Sequence, residues 1–394
     1  MFPAVLACMA CLTQAHAGSG PTFNSPTLGT SLETEGFVPQ GTGSGDALSI
    51  AVYAYNGSWS APDAPTPERM RDYLLGLGLG VVMLDYGGDA KAVMPDLSAD
   101  GAALMKKKFF WACNKALSIE TKELFVVPEG FRLRKDVPFY TSPDNDLEVN
   151  AWVLHPIRSS RPLPLAIRYN KAGQWGGSLL AGIEFRGFAR AWIGHPYNFK
   201  KGRGIFPSKA ETHEKGLAYG RSAVRTLRAR AEEFSIDPDR FLLFGTSKHG
   251  NMTVWVAAKG EEPSEDPKWG GLHHEQSSAV QCAVAKATWG FSEFWQKDGA
   301  PKFHEWMGYT GSGNPSQDWL LERSWTSYLS EQAPPMAIGR AHGGSWRTAQ
   351  VTRLIRSLDE LNVPFIQSMD KKLPSYKKFK GERLFDFVET HLKL

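Results

Sequence analysis

Residues 241–255 read FLLFGTSKHGNMTVW. The apolar run ends in Gly245, turns at Ser247 and restarts at helical spacing, the pattern of a buried strand that passes directly into a helix. A serine at such a corner has chemistry open to it. The cramped backbone presents the hydroxyl at the carboxyl end of a sheet, beside helix N-terminal N–H groups that can stabilise an oxyanion. The helix must also pass close to the strand, which requires small neighbours, and Gly245 is one. An ordinary strand-to-helix turn explains the same pattern, and His249 stands where a symmetrical Gly-x-Ser-x-Gly would carry its last glycine.

A serine hydroxyl is a weak nucleophile until a base takes its proton and a third group orients that base. Residue type alone does not say which base or acid in the chain would fill those roles. His249 lies on the first helical turn, where its ring is expected to point away from the Ser247 hydroxyl. Lys248 is expected beside the corner, where its charge would lower the serine pKa, although a solvent-facing lysine is the commoner outcome.

The elements that must position these residues follow from the rest of the chain. SIAVYAYNGSW, PERMRDYLLGLG, GVVMLDYGG and LSADGAALMKKKFFWACNKA read as strand, helix, strand, helix. From Leu124 onward FRLRKDVPFYTS and LEVNAWVLHP alternate as antiparallel strands across an SPDND turn. LPLAIRYN, ARAWIGHPYN, FLLFG, AVQCAVAKATWGF, PPMAIGRAHGG and VPFIQSMD then alternate with helical stretches. The fold class expected is α/β, a doubly wound, mostly parallel sheet with helices on both faces.

From Phe131 to the C-terminus the order of elements resembles the α/β-hydrolase superfamily, in its esterase and prolyl-oligopeptidase-like branch. RYNKAGQWGGS is similar to the stretch that reads His-Gly-Gly-Gly-Trp in those enzymes, and EEFSIDPDRFLLFGTSKHG to their approach to the nucleophile. The Gly-x-Ser-Lys-x-Gly form also resembles the PhoPQ-activated pathogenicity-related proteins and, less closely, the glucuronoyl esterases. The resemblance implies an acyl-enzyme mechanism at Ser247, an oxyanion loop containing Lys171 and Gly173, and a cleft that includes His195. It also implies an acid in the 340–345 loop and a histidine in the 371–376 loop, and neither loop holds one. His342 and Asp370 occupy those loops in exchanged order, and Glu293 in WGFSEFW follows the strand after the corner, where some branches of the family carry the acid; the plainer accounts are a loop-packing histidine for His342 and a solvated carboxylate at a helix start for Glu293. Loss of one triad member costs serine hydrolases on the order of 10⁴ to 10⁶ in turnover, so a very slow enzyme, a rebuilt base and a non-catalytic binder all stay open.

Composition bounds the remaining readings. Hydrophobic residues at 42% and charged residues at 22% describe a globular chain, and the net charge of +4 is dispersed, which argues against nucleic-acid binding. Residues 1–17 resemble a signal peptide ending in Ala-His-Ala and too short to span a bilayer, which makes a secreted or periplasmic location the expectation. Residues 18–46 read as a flexible linker, 47–123 as an N-terminal α/β segment, and 124–394 as the hydrolase-like domain with a Trp-rich, lid-like insertion at 292–328. Cys113 and Cys282 lie in apolar surroundings, no residues have metal-ligand spacing, and no cofactor is called for. The function expected is an exported serine hydrolase acting on an ester or peptide through Ser247. The alternative is a non-catalytic relative that binds a carbohydrate or peptide, with tryptophans of the insertion as an aromatic wall.

Overall fold

The computed structural model describes residues 16–19, 23–25, 30–32, 34–55, 66–85, 113, 116–117, 120–157, 159, 161–169, 180, 183–194, 212–260, 267–286, 309–313, 315–339, 345–368 and 382–394. The chain divides into two compact units. Unit one comprises Met1–Leu133, Pro156–Arg158 and Gly173–Arg186; unit two comprises Arg134–His155, Ser159–Ala172 and Gly187–Leu394.

Unit one carries β1 (His16–Ser19), β2 (Phe23–Ser25), β3 (Thr30–Leu32), β4 (Thr34–Val38), β5 (Ala47–Tyr55), α1 (Pro67–Gly76), β6 (Gly80–Asp85) and β7 (Glu120–Pro128). Five of these strands form a sheet in the order β1-β4-β6-β5-β7, with β5 parallel to both β6 and β7. Helix α1 starts at Thr66, whose side chain accepts from the Arg69 N–H, and has proline in its first turn.

Two expectations are corrected here. The stretch 18–46 is not simply a linker, because β4 pairs antiparallel with β6 and β1 pairs with β4. Few large apolar residues are needed when the edge of a buried strand supplies the hydrogen bonds and Phe37 and Val38 supply the burial. The boundary at 123/124 also falls inside β7, which belongs to this sheet.

Unit two carries the larger sheet. Its elements in chain order are β8 (Phe131–Thr141), β9 (Glu148–Pro156), β10 (Leu163–Tyr169), β11 (Ala189–Ile193), α2 (Thr212–Ala229), β12 (Ile236–Thr246), α3 (Lys248–Ala258), β13 (Cys282–Lys286), α4 (Gln317–Glu322), β14 (Met336–Gly339), α5 (Ser345–Glu360), β15 (Phe365–Gln367) and α6 (Glu382–Leu392). The strand order is β15-β14-β13-β12-β10-β11-β9-β8, parallel from β11 through β15 and antiparallel between β11 and β9. β10, β11 and the second half of β12 are apolar and buried along nearly their whole length, as strands covered on both faces must be. Cys282 is buried in β13 and Cys113 is buried in unit one, both as free thiols; burial pushes the Cys113 thiol up to about 12.

Helices α2 and α3 pack together over this sheet. Gly220 permits the approach: a methyl there would stand 1.7 Å from the Tyr169 hydroxyl and 2.8 Å from Val256. Arginines hold the far half of α2, with Arg221 Nε donating to Ser278 Oγ (2.7 Å) and Arg225 Nε to the Leu272 carbonyl (3.1 Å). Of the tryptophans expected to form an aromatic wall, the two among the described residues pack against the core. Trp325 is fully buried and meets Trp255 of α3 edge to face at 6.4 Å, while Trp319 is partly buried against the core; Trp289, Trp295 and Trp306 lie outside the described residues. Packing takes precedence because an indole removes a large apolar area from water.

His213, at the start of α2, is buried edge to face on Trp255 at 4.8 Å, with Nε2 3.2 Å from Tyr328 Oη. Burial drives its pKa well below 6.5, and the charges of Arg323 and Lys259 push the same way. A histidine neutral in the folded state and protonated in the unfolded one makes stability fall as pH drops below the unfolded value near 6.5. Denaturation midpoints of the wild type are therefore expected to decline from pH 7 to pH 5 more steeply than those of His213→Phe, the difference approaching about 1.4 kcal/mol per pH unit. Parallel curves for the two proteins would contradict the buried neutral imidazole.

Candidate active site

β10 leads to β11 on one side of the sheet, whereas β12 lies on the other side of β10 and leads on to β13. The winding therefore reverses between β10 and β12, and in open α/β sheets the crevice at such a switch point, beyond the carboxyl ends of the strands, is where ligands are held. Ser247 is the first residue beyond the carboxyl end of β12. The candidate site is at the place the topology favours.

The serine occupies a backbone conformation of φ 61° and ψ −128° between β12 and α3. An L-residue there is strained, at a cost of order 1–3 kcal/mol that the surroundings must oppose. Two hydrogen bonds hold it. The Ser247 N–H donates to the Lys286 carbonyl at 2.7 Å, and the Ser247 carbonyl accepts the Asn251 N–H at 3.1 Å. The hydroxyl makes no capping bond to the helix, so it is not spent on the N-terminus it occupies.

Gly245 is required by the same corner. A Cβ on it would lie 2.5 Å from the His249 carbonyl oxygen, 2.6 Å from the His249 carbonyl carbon and 2.8 Å from Thr253 Oγ1. The first two neighbours are backbone and cannot move aside, and Thr253 Oγ1 is itself tied to the His249 carbonyl at 2.9 Å. Lys286 was not singled out in the sequence. Its role is carried by its carbonyl, and only the parallel register Thr246↔Lys286 brings it beside the corner.

Because the Ser247 N–H is occupied, the oxyanion donors available from the helix begin with the N–H of Lys248, one of the first-turn groups without an intrahelical acceptor. The other predicted site residues, His342, Asp370, Glu293, Lys171, Gly173 and His195, lie outside the described residues, as does the Lys248 side chain. The register of the strands still fixes where their segments leave the sheet. Thr246, Lys286 and Gly339 are level with one another, Ile338 is level with Gln367, and Tyr169 with Ile193. The segments that follow β10, β11, β13, β14 and β15 accordingly begin at the edge that carries Ser247. Lys171 and His195 each come two positions after their strands end, and His342 and Asp370 three. Among the described residues no group of three His, Cys, Asp or Glu is placed to hold a metal ion, and no helix is long and apolar enough to cross a membrane.

The reversed strand order together with a strained serine at the switch point decides the architecture. The fold is the α/β-hydrolase fold. No family model matches the chain, and no curated protein does. Solved structures are similar at low identity. A truncated carbohydrate esterase from gut microbiota is 16% identical over 67% of this chain and 97% of its own, with a TM-score of 0.47. An acylaminoacyl peptidase is 15% identical over 68% of this chain and 42% of its own, with a TM-score of 0.49. An acetyl ester-xyloside bifunctional hydrolase from Caldicellulosiruptor lactoaceticus is 18% identical over 61% and 85%, with a TM-score of 0.42.

Two substitutions test the corner in opposite directions. Ser247→Gly is expected to raise the unfolding free energy by about 1 kcal/mol or more, because glycine is at ease where serine is strained. Gly245→Ala is expected to lower it by about 1–3 kcal/mol through overpacking. Urea denaturation midpoints measure both, and a Ser247→Gly variant less stable than wild type would show that the corner stores no strain.

Proposed function

We propose that this chain is an exported serine hydrolase that cleaves an ester or peptide by acyl transfer to Ser247. One observation carries the reading: a serine in a left-handed backbone conformation, its hydroxyl uncommitted to the helix, at the carboxyl end of the strand beside the topological switch. Strain of that kind persists only where surrounding structure enforces it, and it concentrates at functional sites. Export rests on the leader-like residues 1–17.

In the proposed reaction Ser247 Oγ attacks the acyl carbonyl carbon and its proton passes to a base. Charge develops on the carbonyl oxygen, and we assign its stabilisation to the Lys248 N–H and, on the resemblance alone, to Lys171. The leaving alcohol takes the proton back, and water then repeats the sequence on the acyl-enzyme. We assign the base to His342 and its orienting acid to Asp370, with Glu293 as the other acid within the same set of segments. The assignment is supported by strand register, since β14 and β15 are adjacent parallel strands that end at the serine's edge. His195 is assigned to the cleft wall and Lys248 to favouring the serine alkoxide.

A second reading has an observation of its own. The 340–345 segment lacks a carboxylate and the 371–376 segment lacks a histidine, so a binder of carbohydrate or peptide on an old hydrolase scaffold remains the rival. A fluorophosphonate probe separates the two. Labelling of the wild type, its disappearance in Ser247→Ala, and slowing of about 10³-fold or more in His342→Gln are expected. An unlabelled wild type beside a labelled control esterase would favour the binder, and undiminished labelling of His342→Gln would remove that residue as the base.

A further inference from the structure

Among the described residues, Lys215 pairs with Asp144, and Lys135, Lys259 and Lys268 each lie over an aromatic ring at 4.5–4.8 Å. Among the same residues Lys286 has neither a carboxylate nor a ring, and Lys393, which also has neither, is exposed beyond α6. Lys286 is different: it is the last residue of β13 and only partly exposed. An ammonium in that setting has given up part of its water shell without gaining a counter-ion, which is unfavourable until an anion arrives.

Its exposed surface opens at the edge that carries the serine. Alternation along a strand puts Lys286 on the same face as Val284 and Cys282, and both of those are fully buried. That face is covered, so water reaches Lys286 from beyond the carboxyl end of β13. There the two backbones are bonded, the Ser247 N–H donating to the Lys286 carbonyl at 2.7 Å, and the register sets Lys286 level with Thr246, the residue before the serine. A flexible four-carbon stem carries the charge from that point. The ammonium and an acyl group on Ser247 Oγ thus belong to one crevice.

The sequence at this edge favours one sign of charge. The two residues that follow each of the strands β10 to β15 include Lys171, Lys248 and Arg340 and no aspartate or glutamate. The first carboxylates, Asp370 and Glu293, come three and seven positions after their strands. A crevice that begins with one sign of charge concentrates ligands of the opposite sign. We propose that Lys286 is a specificity-determining residue: its ammonium holds a carboxylate of the substrate, so the ester or peptide cleaved at Ser247 carries a negative charge close to the scissile carbonyl. The substrate role rests on the hydrolase reading of Ser247, whereas anion binding at Lys286 stands without it.

Two measurements on the full chain keep these apart. The first compares substrates matched except for a carboxylate: mono-para-nitrophenyl adipate against para-nitrophenyl hexanoate, with the charge on the acyl side, and meta-acetoxybenzoate against its methyl ester, with the charge on the alcohol side. The wild type is expected to favour the charged member of at least one pair by about tenfold or more in kcat/KM, that ratio falling to about one in Lys286→Met and persisting in Lys286→Arg. Because the ratio is taken within one protein, a variant that folds less well does not change it. The second measurement needs no turnover. With isotope-labelled methyl groups on the lysines, the Lys286 signal, identified by its loss in Lys286→Met, is expected to shift saturably with millimolar adipate, equally in Ser247→Ala, and to stay still with hexanol. A wild type that favours the neutral member of both pairs, or a preference for charge that survives in Lys286→Met, overturns the specificity role. A Lys286 signal indifferent to adipate overturns the proposal whatever Ser247 does. An adipate shift in a chain that turns over no ester and takes no fluorophosphonate supports the anion site and counts against the hydrolase reading alone.

Discussion

A single backbone corner, Ser247 at φ 61° and ψ −128°, is the constraint on which the site depends. Left alone, an L-residue would leave that conformation, and no local feature of the sequence holds it there. What holds it is β12 locked between two parallel neighbours, β10 and β13, with the serine N–H tied to the end of β13. The helix that follows adds a second restraint by lying so close to β12 that position 245 tolerates only hydrogen. Sheet, helix and corner thus enforce one another: the hydroxyl is presented because every way of relaxing it would break a strand pairing or force two backbones into the same space.

Helix α3 connects this corner to the aromatic layer above the sheet. Its first turn follows the corner directly, its third turn brings Trp255 against Trp325 and His213, and Lys259 follows its last residue. Rigidity along that helix comes from indole packing, whereas a cavity lined largely by polar residues lies beyond it.

The strand runs of unit two were legible in the chain because strands buried on both faces must be mostly apolar, as β10, β11, β13, β14 and the second half of β12 are. The same clarity produced the fold class and the position of the corner. Less was legible where stability comes from a partner strand instead of from the segment's own side chains. Residues 34–38 looked like part of a tether for want of apolar content, yet β6 offered them an edge. Tryptophans between 319 and 325 looked available to a ligand, and at Trp325 the demand for buried apolar area prevailed.

By itself the sequence determined that a serine follows a buried strand and precedes a helix, that a glycine stands two residues before it, and that the thiols have no pairing pattern. Those are local facts, set by residue type and short-range order. Tertiary structure alone decided that the winding reverses between β10 and β12, that the Lys286 carbonyl completes the corner, and that His213, Glu214 and Tyr328 gather at one cavity. The reason is that hydrogen-bond partners and burial belong to pairs of residues far apart in the chain, and no local pattern encodes which distant residue will arrive.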